Sequence, residues 1–136
     1  MFPKPDTFTS IQFKKEELRQ QFDELKKKSK KLIVILSALE GYLRYYYKQE
    51  ITITCIYRSQ SEQDNLKNKG FTNDKISLHT LWRAVDVQAS KWSKEMIDDV
   101  GSVFNRIFDY DEKRPEKVTC YFHKGTNFHL HIQVVK

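Results

Sequence analysis

From Leu18 onward, apolar residues recur at Leu18, Phe22, Leu25, Leu32, Leu36, Leu39, Leu43 and Tyr46. The steps alternate between four and three once Ser29 is counted in the vacant place. That spacing lines one face of a helix. It predicts helix over 14–48, as one rod or as two pieces broken near Ser29 or Gly41. The stripe reads as intramolecular packing rather than a coiled-coil seam, with dimerisation left open. At Ile51 the period changes to two: Ile51-Thr-Ile-Thr-Cys-Ile-Tyr57 is a β-branched strand. Ser59 and Glu62 have the spacing of a capping box, opening a short helix that ends at Gly70. Arg58 falls at the junction. Residues 70–80 read as a loop. Residues 83–88 read as a second strand with Val85 and Val87 toward the core. Ser93 caps another helix, in which Met96, Ile97, Val100, Val103, Phe104, Ile107 and Phe108 recur at helical spacing. A polar turn region with Pro115 covers 109–117. Two strands close the chain, near 117–123 and 127–135, joined by a turn at Lys124-Gly125.

Helices first, then strands with a helix between them, predict an α+β fold with a small, largely antiparallel sheet. There is no internal repeat and no low-complexity linker, so 1–136 reads as a single domain, with a helical segment at 14–48 and a core over 51–135.

Composition narrows the function classes. The formal charge is +6, with 39% apolar and 31% charged residues. A mean hydropathy of −0.68 excludes a polytopic membrane protein. The pI near 9.2 points to an acidic partner: nucleic acid, anionic lipid or bacterial cell wall. Cys55 and Cys120 lack CxxC spacing and read as reduced core residues. Met-Phe-Pro-Lys-Pro-Asp at the start is not a signal peptide. The lysine-rich run Lys26–Lys31, followed by apolar 32–39, imitates one but is too short to span a membrane. Synthesis without a leader is therefore expected.

The candidate chemistry lies in four histidines, His79, His123, His129 and His131. On a strand, His129, His131 and Gln133 share one face, while Phe128, Leu130, Ile132 and Val134 point to the core. Asp86 stands between Val85 and Val87, and His79 precedes it by seven positions on the loop entering that strand. A His, an Asp and a second His from separate elements can supply three ligands to zinc, leaving a fourth position for water.

The segment Ser77-Leu-His79-Thr-Leu-Trp82-Arg83-Ala84-Val-Asp86 resembles the S-x-H-x(6)-D motif of peptidase family M15, the zinc D-alanyl-D-alanine peptidases and phage L-alanyl-D-glutamate endolysins. Tyr57-Arg58-Ser59 with Gln63 resembles the element that precedes that motif in many members. Phe128-His129-Leu-His131-Ile-Gln133 resembles their terminal H-x-H strand. The three in order span most of 51–134. The resemblance implies zinc held by His79, Asp86 and His131. It implies His129 as general base or transition-state stabiliser. It places Arg58, Gln63 and Ser77 on the substrate side, with Arg58 toward a carbonyl or carboxylate and Ser77 capping or orienting the His79 loop. His123 is assigned no role.

Two positions depart from the pattern. Trp82 stands where many members have glycine, which requires another backbone conformation or a bulkier wall. Residues 125–128 carry no acid where many members have one before the last histidine, so His129 takes the base role or hydrolysis is inefficient. The implied function is hydrolysis of a peptidoglycan stem-peptide bond, of L-Ala–D-Glu or D-Ala–D-Ala type, by a phage-lysin-like enzyme. It would be made in the cytoplasm and act on the wall after release or as a phage component. Two other classes fit parts of the chain. His129-Leu-His131-Ile-Gln133-Val-Val also matches a variant of the histidine-triad nucleotide-binding motif. The lysines and tyrosines permit a non-catalytic nucleic-acid module, although no nucleic-acid motif is present.

Overall fold

The computed structural model describes residues 11–70, 77–111, 113, 117–124 and 128–135. Five strands, β1 (Ile11–Phe13), β2 (Ile51–Cys55), β3 (Ala84–Gln88), β4 (Cys120–Lys124) and β5 (Phe128–Gln133), form one sheet in the order β1-β2-β3-β5-β4. β1 pairs parallel to β2, and every other pairing is antiparallel. Four helices accompany it: α1 (Glu16–Lys28), α2 (Lys30–Tyr47), α3 (Gln60–Asn68) and α4 (Lys94–Ile107). The fold is α+β, as the period changes imply.

The long helical pattern is two helices, and the break is at Ser29, whose φ of −145° and ψ of 86° are non-helical. Gly41 lies inside α2. Ser29 N–H still donates to Leu25 O at 2.8 Å, so the kink leaves little backbone unpaired at the joint. Leu25, Leu32, Leu36, Leu39 and Leu43 are fully buried, joined in one cluster by Ile51, Ile53, Val85, Val87, Leu130 and Ile132. From Leu18 to Leu43 the stripe is therefore an intramolecular face, and Tyr46, its last member, is exposed. Tyr42 and Tyr47 of α2 donate hydrogen bonds to Asp99 of α4. The Asp99 hydrogen bond pushes the Tyr47 hydroxyl pKa up to about 12.

Ser59 forms the expected capping box with Glu62, and Ser93 caps α4 through Met96 N. α3 ends at Asn68, with Gly70 just beyond at φ 79°, a value glycine adopts freely. β1 was not anticipated. Three residues are too few to show a period, and β1 exists because the edge of β2 accepts it. Part of the expected 70–80 loop is a 3₁₀ turn, Leu78–Leu81. Residues 71–76, Pro115 and the Gly125 turn lie outside the described residues.

Antiparallel pairing sorts the sheet into two faces. Val85, Val87, Leu130 and Ile132 lie on the helix-packed face. Asp86, His129 and His131 lie on the other. Among the described residues no helix is long and apolar enough to cross a membrane.

Candidate metal centre

Register brings the chemistry together. Asp86 of β3 lies between Cys55 of β2 and His131 of β5, and His131 in turn lies opposite Tyr121 of β4. One row across the sheet therefore reads Cys55, Asp86, His131, Tyr121. The adjacent row reads Gln88, His129, His123. Cys55 joins the row because the β2–β3 register shifts between Ile53 and Cys55. Without that irregularity Cys55 would share the core face of Ile53; a bulge turns the alternation over. Ile56 is fully buried in its place. The expectation that both cysteines are core residues thus holds for Cys120 and is corrected for Cys55, which is part-buried beside His79. Both thiols are free.

His79 enters from the 3₁₀ turn. Its backbone N–H is capped by Ser77 Oγ at 3.2 Å, which gives Ser77 a structural task at the mouth of this loop. Its ring Nδ1 lies 3.0 Å from the Ile56 carbonyl oxygen. A carbonyl can only accept, so Nδ1 carries the proton and Nε2 is turned to Asp86 Oδ1 at 3.2 Å. His131 is fixed by a longer relay. Gln133 Nε2 donates to Val118 O at 2.8 Å, which aims Gln133 Oε1 at His131 Nε2, 3.2 Å away. His131 Nε2 is therefore the donor, and Nδ1 faces the same Asp86 oxygen at 3.0 Å. Two imidazole nitrogens whose outer partners fix their tautomers thus meet one carboxylate oxygen. Such tethering is how metal-ligating histidines are oriented. Three lone-pair-bearing atoms this close require a proton or a cation among them. His129 Nε2 approaches the other carboxylate oxygen, Oδ2, at 3.3 Å.

The charges agree with that geometry. Burial alone would push the Asp86 pKa up, but His79 and His131 beside it hold the carboxyl well below the usual carboxylate range. Burial opposes a charge on His79, yet Asp86 above all, with Cys55, outweighs it and raises its pKa to about 10. In the metal-free chain His79 is therefore the proton-bearing partner of a buried anion. Burial, then His129, lowers the His123 pKa. Two groups present donor atoms within 4.8 Å of one another, Cys55–His79–Asp86 and Asp86–His123–His131. They share Asp86, and either can contribute to holding a metal ion. Cys55 Sγ sits 3.5 Å from His79 Nδ1 and within 4.8 Å of an Asp86 carboxylate oxygen.

Arg58 donates to Gln63 Oε1 at 2.8 Å and from Nη2 to Cys55 Sγ at 3.6 Å. Gln63 is buried, so its hold on any substrate runs through Arg58. Trp82 keeps the backbone a glycine would use: φ is 59° and ψ 33°. Left-handed geometry in a non-glycine residue costs about 1–2 kcal/mol. The ring stacks on Tyr57 at 4.7 Å and 18°, with Lys28 Nζ 5.6 Å above it. The departure at this position is thus a bulkier wall on a left-handed turn.

No protein-family model, curated protein or solved structure matches the chain. Its residues and their geometry carry the functional reading.

The structure gathers His79, His129 and His131 around the Asp86 carboxylate, sets Ser77 and Arg58 against His79, and places Gln63 against Arg58. Sequence reasoning missed His123, Cys55 and the outer tethers. Gln133 was visible as a residue on the histidine face, and that was its only signal. Gln133→Leu should leave His131 Nε2 without its acceptor and weaken metal binding roughly 10–100-fold. Titration against a competing chelator measures this; unchanged affinity would show that Gln133 does not orient His131.

Proposed function

We propose that the chain is a zinc-dependent peptidase that hydrolyses a stem-peptide bond of bacterial peptidoglycan. The observation that supports this most is the convergence of His79 Nε2 and His131 Nδ1 on Asp86 Oδ1, with both outer nitrogens tethered. Nitrogen and carboxylate donors of this kind suit zinc. His79, Asp86 and His131 would hold the ion, which supplies Lewis acidity toward the scissile carbonyl. His129, beside Asp86 Oδ2 and 14% exposed, takes a proton from the attacking water and returns it to the leaving amine. Arg58, held by Gln63, stabilises negative charge on substrate oxygen in this reading. The histidine-triad alternative has no use for Asp86, which touches all three of His79, His129 and His131.

The motif order favours a murein peptide, and the net charge of +6 suits an anionic wall. Digestion of purified peptidoglycan should release new amino groups and no new reducing ends. It should stop with a chelator, return with zinc, and decline as salt screens the attraction. A new glutamate amino terminus identifies the L-Ala–D-Glu bond, and free alanine identifies D-Ala–D-Ala. Reducing ends in place of amines would mean a glycosidase and would sink the reading.

A further inference from the structure

His123 has no assigned task in this chemistry, yet the β4–β5 register sets it opposite His129 and on the face that carries Asp86. Its ring meets that of His129 edge-on, with centroids 3.9 Å apart, and lies 5.8 Å from that of His131. A donor atom of His123 lies within 4.8 Å of donors on both Asp86 and His131. Tetrahedral zinc with bonds near 2.0–2.1 Å places its donors about 3.3 Å apart. A half-buried side chain at the end of a strand closes that difference by rotating about χ1 and χ2. His79, Asp86 and His131 are all buried, and His123 is the more exposed of the four.

A catalytic zinc keeps one position free of protein, whereas four protein ligands make a closed site. We infer that His123 is the fourth protein ligand of the resting metal centre, so that substrate must displace it to reach the ion. The inference rests on the metal set proposed above and adds to it a self-capping side chain. Its chemistry is simple ligand exchange: an imidazole nitrogen leaves the ion, and a substrate oxygen takes the vacated position.

The test loads the full chain with cobalt(II), a spectroscopic stand-in for zinc, and adds azide as a small competing ligand. In the parent chain the visible spectrum should be that of a four-coordinate ion and should barely respond to azide. In His123→Ala and His123→Gln the metal should stay at one per chain, and azide should now change the spectrum. Zinc affinity should fall at least about tenfold, since losing a ligand costs no less than losing one of its outer partners. The glutamine variant keeps a polar side chain of similar reach at this strand position and guards against misfolding of the alanine one. Equal azide responses in parent and variants, or unchanged zinc affinity, would overturn the inference and leave the three-ligand centre standing. A parent chain that takes up neither zinc nor cobalt would remove the centre and this inference with it.

Discussion

Asp86→Asn should bind no stoichiometric zinc and should show no peptidase activity. Among the described residues Asp86 is the one side chain that touches His79, His129 and His131 together, through both of its oxygens. An amide keeps the shape but removes the charge and one acceptor. The metal-free variant should also be less stable, by about 3–5 kcal/mol, the usual cost of breaking a buried ion pair by removing one partner. The pH dependence should change in a definite way. In the metal-free parent, the His79 pKa is raised from 6.5 to about 10. Its contribution is complete below pH 6.5 and is lost as pH rises toward about 10. The Asp86 pKa is depressed below its ordinary 3.8, so its contribution is complete above that pH and is lost as pH falls. Denaturation of chelator-treated protein across that range should trace both limbs in the parent and neither in Asp86→Asn. Zinc loading reverses the alkaline trend, because ligand imidazoles must first lose their protons. One zinc per chain in Asp86→Asn would move the metal centre elsewhere.

His129→Ala should keep the zinc and lower hydrolysis by roughly two to four powers of ten. The separation of roles follows from the carboxylate: His79 and His131 meet Oδ1, whereas His129 meets Oδ2. The limb of the kcat/KM profile that reports the general base should vanish with it. Full turnover of peptidoglycan by this variant would remove His129 from the mechanism. Loss of the ion would make it a ligand and require a new ligand set.

Much of this arrangement is written locally. The alternation Phe128-His129-Leu130-His131-Ile132-Gln133 assigns two imidazoles and an amide to one face, and burial of Leu130 and Ile132 follows that assignment. Asp86 between two buried valines is read the same way. The break at Ser29 is one of two legible positions; Gly41 lies inside α2 with open space where a Cβ would stand, so no packing contact requires glycine there. By contrast, residue type places Cys55 in the core, and the β2–β3 bulge turns it to the face of Asp86. The bulge arises in the pairing of β2 with β3, and no residue of 51–57 announces it.

By itself the sequence determined the elements and their faces, since a period of 3.6 or 2 combined with apolar burial is a property of contiguous residues. It also determined which residue types could meet a metal. Tertiary structure decided which of them come together. Register across β2, β3, β5 and β4 aligned Cys55, Asp86, His131 and Tyr121, and set His123 against His129. Backbone carbonyls of Ile56 and Val118, which carry no sequence signal, chose the tautomers of His79 and, through Gln133, of His131. The reason is physical: a side chain's face is set by its own strand, whereas its partners and its proton are set by hydrogen bonds to chain segments 15 to 45 residues away.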